Sequence, residues 1–280
     1  MNAIEIKHLS KHYKGFSLEN LNLTLPSGCI MGIVGENGAG KSTTIKLILD
    51  ILRADRGSIT ILGRDNRENT RLTKDELGVV LDEVGVPECL NATQIGKVMS
   101  GIFSRWNQPY YDSLLTKLSL PCKKPFKDFS RGMKMKLGLA IALSHEPKLL
   151  ILDEATSGLD PVVRDEVVEM LLDFTRDENH SILISSHIVS DLEKLCDYIA
   201  FLHRGKLLLC EEKDVLLSRY GVIRCPLEVL DTMPAHSVLR AKRFSYGAEA
   251  LVLRDSAPEG YPVGPVNIEE LFLFMVKEGN

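Results

Sequence analysis

Apolar positions along this chain change period three times. Near the start, Ile4 and Ile6 alternate with polar neighbours, as on a half-buried strand. Cys29-Ile30-Met31-Gly32-Ile33-Val34 is then an almost unbroken apolar run, the pattern of a strand covered on both faces. After a glycine-rich stretch, residues 43–52 take helical spacing, and Gly57-Ser58-Ile59-Thr60-Ile61-Leu62-Gly63 reads as a strand closed by glycines. From about 86 to 146 the period is helical throughout. Asn91 suits the N-cap of a helix over 92–103, Pro109 opens another, and a long amphipathic helix runs from Phe129-Ser130-Arg131-Gly132-Met133 to Leu143. Apolar runs return at Lys148-Leu149-Leu150-Ile151-Leu152 and Ser181-Ile182-Leu183-Ile184-Ser185. Helices are expected over 162–178 and 189–196. Such strand–helix alternation predicts a parallel sheet covered by helices.

The last sixty residues follow a different pattern. Pro226, Pro234, Pro258, Gly260, Pro262, Gly264 and Pro265 break them into short pieces. Asn267 is a plausible cap for a closing amphipathic helix through Met275. We expect one main domain over 1–220 and a small α/β appendage over 221–280.

Composition narrows the class. The 280 residues are 44% hydrophobic and 26% charged, which is ordinary globular usage. A net charge of −4 argues against nucleic acid as the main partner. The start Met1-Asn2-Ala3-Ile4-Glu5 lacks a signal peptide's basic and apolar regions. No apolar stretch approaches the ~18 residues that span a bilayer, so a membrane role is expected to depend on a partner. Six scattered cysteines form no C-x-x-C pair and read as reduced thiols, mostly in the core.

Chemistry enters at Gly35-Glu36-Asn37-Gly38-Ala39-Gly40-Lys41-Ser42, which fits G-x-x-x-x-G-K-[ST]. It lies between the buried strand and the first helix, where the phosphate-cradling mechanism requires it. Glycines let successive N–H groups converge, and the helix adds its positive end at the same point. Lys41 then reaches the β- and γ-phosphates, and the Ser42 hydroxyl can ligate Mg²⁺. The motif alone implies a nucleoside triphosphate. Farther on, the strand through Leu152 ends in Asp153 and Glu154. A strand-end aspartate suits Mg²⁺, and the neighbouring glutamate can take a proton from an attacking water.

More elements fall in a fixed order around these two. They are Tyr13 upstream, Ser130-Arg131-Gly132 at a helix start, Ser157-Gly158-Leu159-Asp160-Pro161 after the acidic pair, and His187 after a strand. The ordered set resembles the ATP-binding subunit of ABC transporters over roughly residues 3–215. The Ser-Arg-Gly-Met signature is most similar to the bacterial multidrug and bacteriocin-immunity exporter branch. The resemblance implies an α/β fold: a P-loop NTPase core with a parallel sheet, an antiparallel β subdomain and a helical subdomain at about 86–146, plus the C-terminal appendage. It implies that Gly35 to Thr43 form the Walker A loop, that Asp153 faces Mg²⁺, and that Glu154 is the catalytic base. His187 would be the switch histidine and Tyr13 would stack on adenine. Ser130 and Gly132 would touch the nucleotide of an opposite subunit, with Asp160 passing between the two. ATP and Mg²⁺ are the implied cofactors. A second ATP-binding subunit and an integral-membrane permease are the implied partners, with the chain cytoplasmic and peripheral on the inner face of the cell membrane.

The chain departs from the family pattern in the signature and after the segment Leu77-Gly78-Val79-Val80-Leu81. Arg131 stands where the family usually has glycine, and Met133 where it has glutamine. Asp82, followed by Glu83, stands where the family places a glutamine. A carboxylate there can bind Mg²⁺ through oxygen, so Asp82 is expected on the metal side of the site.

Overall fold

A computed structural model describes residues 1–67, 74–82, 84–234 and 236–276. Glu83 lies outside the described residues. Three sheets account for the described strands. The N-terminal strands β1 (Asn2–Tyr13) and β2 (Phe16–Pro26) pair antiparallel, and with β4 (Arg56–Ile61) and β5 (Arg64–Asp65) form a sheet in the order β2-β1-β4-β5.

The central sheet is built from β3 (Ile30–Val34), β6 (Leu77–Val80), β7 (Leu149–Asp153), β8 (Ser181–Ser186), β9 (Tyr198–His203) and β10 (Lys206–Glu212), in the order β10-β9-β3-β8-β7-β6. All pairs are parallel except β9–β10. Every residue of β3, β7 and β8 is buried, which is why their sequences read as continuous apolar runs rather than alternations. The pleat divides them between two cores. Met31, Ile33, Leu149, Ile151 and Leu183 face α1 (Lys41–Ile48) and the antiparallel sheet. Ile30, Val34, Leu150, Leu152, Ile182 and Ile184 face the opposite layer of helices.

That layer contains α4 (Arg131–Leu143), α5 (Pro161–Phe174) and α6 (Val189–Leu195). The helical insert adds α2 (Ala92–Ile102) and α3 (Gln108–Lys117). Side chains cap these ends, at Asn91 as expected and also at Ser130. Asn91 and Gln94 form a reciprocal capping box, and Ser130 Oγ accepts from the Met133 amide at 3.2 Å. Two helices stop earlier than their apolar periodicity suggests. After α1 the chain turns at Asp50, with φ of 53°, and after α5 the Thr175 hydroxyl bonds back to the Leu171 carbonyl at 3.3 Å.

The tail begins with α7 (Lys213–Arg219) and a third sheet of β11 (Tyr220–Cys225), β12 (Arg240–Phe244) and β13 (Gly247–Leu253), in the order β11-β13-β12. The short helix α8 (Leu227–Thr232) covers it. The last helix, α9 (Ile268–Val276), has Asn267 as its cap, accepting from the Glu270 amide at 2.7 Å. Phe272 meets Phe201 of β9 edge-on, with ring centroids 5.2 Å apart, so α9 shares the helical-side core with the central sheet. The cysteines are less buried than the expectation of mostly core thiols. Cys196 is buried, Cys29, Cys210 and Cys225 are half-buried, and Cys89 and Cys122 are exposed. Burial pushes the Cys210 thiol up to about 11 and the Cys196 thiol higher still, keeping both protonated.

Candidate functional site

The β3–α1 loop sits at the carboxyl ends of the parallel strands, where open α/β sheets place ligands. Gly40 caps α1 from the left-handed region, φ 111°, and a side chain there would press on Phe16 at 3.0 Å. At Gly35 an added Cβ would meet the Leu202 carbonyl at 2.5 Å, so the loop lies against β9 only because both positions are glycine. The Ala39 carbonyl accepts from the Gly205 amide at 2.9 Å, and the Thr44 hydroxyl donates to the Gly40 carbonyl at 2.9 Å. These contacts fix the loop without using the remaining backbone donors of Asn37 and Gly38, which border a cleft of about 670 Å³.

At the base of the cleft is a chain of charged groups. Lys41 is 5% exposed; its Nζ donates to the Gly35 carbonyl at 2.7 Å and pairs with Glu154 Oε1 at 3.1 Å. The other oxygen, Glu154 Oε2, faces His187 Nδ1 at 2.7 Å. Glu154 adopts φ 54°, unusual for a residue with a side chain. Its amide donates to both the Ser185 carbonyl (3.1 Å) and the Ser185 hydroxyl (3.2 Å), which hold that conformation and direct the carboxylate across the cleft. The Ser185 hydroxyl also donates to Asp153 Oδ1 at 2.6 Å, orienting a carboxylate that is itself buried at the strand end. Ser42 and Thr43, in the first turn of α1, border the same cleft.

The remaining expected residues fall in several places. Tyr13 ends β1 and is 42% exposed. It reaches the site through Phe16, ring centroids 6.4 Å apart, and it is Gly15 and Phe16 that form the cleft wall. Ser130 and Gly132 open α4, and Asp160 caps α5 by accepting from the Val162 and Val163 amides at 3.2 and 3.1 Å. All three lie outside the chain's own cleft. Asp82 does line it, but its Oδ1 accepts from Arg131 Nη2 at 2.9 Å, so the metal-side position expected for Asp82 competes with an ion pair. Phe16 and Ser185 were not legible as site residues, because each belongs to a strand whose pattern marks only structure, and Ser157, at the start of a quoted motif, lines the cleft without having been singled out.

The ABC transporter family profile matches residues 18–157. The lantibiotic transport ATP-binding protein SrtF of Streptococcus pyogenes is 39% identical over 218 residues, covering 75% of this chain and 91% of that protein. The chain belongs to the ABC transporter family. A bacitracin transport ATP-binding protein, BcrA of Enterococcus faecalis, is 33% identical over 209 residues, 74% of this chain and 68% of its own length. The solved structure of an ATP-binding subunit of an ABC transporter superposes with a TM-score of 0.69 at 27% identity, over 76% of this chain and 91% of that one. This ABC subunit binds ATP and hydrolyses it to power transport across a membrane. No helix of the described residues is long and apolar enough to cross one.

Proposed function

We propose that this subunit pairs head to tail with a second ATP-binding subunit and drives a separate permease that exports a peptide antibiotic. The observation that carries the reading is the Lys41–Glu154–His187 chain at the base of a glycine-built cleft. In this reading the loop from Gly35 to Thr43 cradles the triphosphate, Lys41 binds its terminal phosphates, Glu154 takes the proton of the attacking water, and His187 holds Glu154 in place. Ser130 and Gly132 of one subunit face the nucleotide of the other, and Asp160 shapes the turn that passes between them. Tyr13, beside Phe16, covers the adenine.

The oxygen donors fit Mg²⁺. The Asp153 carboxylate is buried and aligned by Ser185, and Ser42 presents a hydroxyl in the first turn of α1, both hard oxygen ligands. When bound, the ion supplies positive charge against the triphosphate. The two relatives carry lantibiotic and bacitracin transport in their names, which supports the peptide substrate class.

This chain offers a surface for the permease. An apolar cleft of about 370 Å³ lies between α1, the β6 edge and α2. Around it Ile51, Val79 and Ile102 are 56%, 37% and 52% exposed, a cluster that a free surface rarely keeps. We assign it to a short amphipathic helix from a cytoplasmic loop of the permease, placing this chain at the inner membrane face. In this reading residues 221–280 are a small α/β appendage.

The test is size-exclusion chromatography of Glu154→Gln with and without MgATP. ATP-driven dimers support the head-to-tail reading. A variant that binds ATP and stays monomeric, alone and with its permease's companion subunit, removes it. Ile51→Asp with Ile102→Asp is expected to lose permease co-purification while keeping ATPase activity. Retained co-purification would move the docking site elsewhere, whereas a wild-type chain that recovers no permease would favour an ATPase acting without one.

A further inference from the structure

Two of the departures from the family pattern, Arg131 and Asp82, meet each other in space. Arg131 opens α4 and Asp82 follows β6, 49 positions apart, yet Arg131 Nη2 donates to Asp82 Oδ1 at 2.9 Å. Both line the phosphate cleft with Lys41, Glu154 and His187. On its other side the pair borders a second cavity of about 340 Å³, reaching Phe126 and Met135 in the helical insert. The guanidinium also packs on the turn after β7. A Cβ at Gly158 would lie 2.9 Å from Arg131 Nη1 and 3.1 Å from its Cζ, so the guanidinium lies directly against this turn. One side chain therefore joins the exit of β6, the turn after β7 and the start of α4.

The pair is open to exchange. Its side chains are 53% and 57% exposed, and such pairs are weak because water competes with them. Arginine carries more donors than one carboxylate oxygen uses, and its fork matches phosphate oxygens. A triphosphate in this cleft presents more negative charge than Asp82 does. By contrast, the Ser130 hydroxyl is committed to capping α4.

We propose that Arg131 binds the terminal phosphate of the nucleotide held by its own chain, and that Asp82 holds the guanidinium at the cleft until that phosphate takes it. Exchange of partner frees the β6 exit and the Gly158 turn together, which couples nucleotide occupancy to the helical insert. Asp82 thus acts through Arg131 rather than as a metal ligand. The proposal rests on the reading of the cleft as the ATP site.

The experiment compares trinitrophenyl-ATP and trinitrophenyl-ADP binding by fluorescence titration, in EDTA and in Mg²⁺. The proteins are wild type, Arg131→Gln, Asp82→Asn, the double variant, and Arg131→Lys. Both positions are exposed, and matching melting curves check that each variant folds. Arg131→Gln is expected to weaken the ATP analogue by about 10-fold, the worth of a charge-assisted hydrogen bond, while the ADP analogue changes little. Arg131→Lys retains part of the difference. Asp82→Asn tightens the ATP analogue only while Arg131 is present, so the two effects do not add. Equal losses for both nucleotides, or an Asp82→Asn effect unchanged by Arg131→Gln, would overturn the proposal. So would a flattened Mg²⁺ dependence in Asp82→Asn regardless of Arg131, which would return Asp82 to the metal. A Lys41→Ala variant that binds as well as wild type would instead sink the site reading itself.

Discussion

Two ion pairs share one cleft and differ in almost nothing but water. Lys41 and Glu154 approach to 3.1 Å, with side chains 5% and 14% exposed. Arg131 and Asp82 approach to 2.9 Å, with side chains 53% and 57% exposed. The shorter pair is the weaker one. Removing one partner of a buried pair leaves a charge stranded in low dielectric, whereas the exposed pair is screened by water and salt. Lys41 is further fixed by the Gly35 carbonyl, and Glu154 by Ser185 through its backbone and by His187 through its side chain. The buried pair is machinery with a set geometry. The exposed pair is a contact whose partner can change.

The comparison breaks most sharply at Glu154. Glu154→Gln keeps the shape and loses the base, and turnover is expected to fall by roughly 10²–10⁴ with nucleotide binding retained. A phosphate-release assay beside a binding titration checks it, and loss of binding with turnover would mean that Glu154 holds the site together instead. Next is Lys41→Ala, which removes a preorganised charge from the phosphate position. Steady-state ATPase activity is expected to drop by about 10²–10³, and near-normal activity would end the phosphate-loop assignment.

Arg131→Gln sharpens the contrast from the other side. An exposed pair contributes under about 1 kcal/mol, so urea unfolding of this variant should scarcely differ from wild type. A large loss of stability would show the pair to be a structural strut rather than an exchangeable contact.

The smallest effect is expected at a third pair, between β1 and the turn before β4. The Asp55 carboxylate accepts from Lys11 Nζ at 2.9 Å and the His12 amide at 2.7 Å. The Lys11 hydrogen bond first, then the His12 amide, hold it at about 2, below the ordinary 3.8. Because the folded value is the lower one, the pair's contribution is complete above about 3.8 and disappears as pH falls toward 2. The small difference in urea midpoint between wild type and Asp55→Asn should therefore persist at neutral pH and vanish near pH 2. A difference that survives at pH 2 would place its origin outside the carboxylate's charge.

Legibility followed chemistry that is local in the chain. The loop from Gly35 to Ser42 was readable because backbone geometry and phosphate binding demand those residues consecutively. The caps Asn91 and Asn267 were readable because a cap bonds only two or three residues onward. Phe16 was not, since its role comes from pressing on Gly40 across two separate elements. Ser185 was not, because its hydroxyl serves Asp153 on a neighbouring strand, and strand registry cannot be read from one segment.

By itself the amino-acid order determined the α/β alternation, the phosphate loop with its strand and helix, the acidic strand end, and the family to which they belong. The first three are written in periodicities and spacings a few residues long, and the family is carried by the order of the motifs from Tyr13 to His187. The tertiary structure alone decided which charges face each other. It turned Asp82 toward Arg131, placed Lys41 against Glu154, and laid Phe272 of the tail on Phe201 of the central sheet. Partners of that kind are set by packing between distant elements, and their strength is set by the water that the packing excludes.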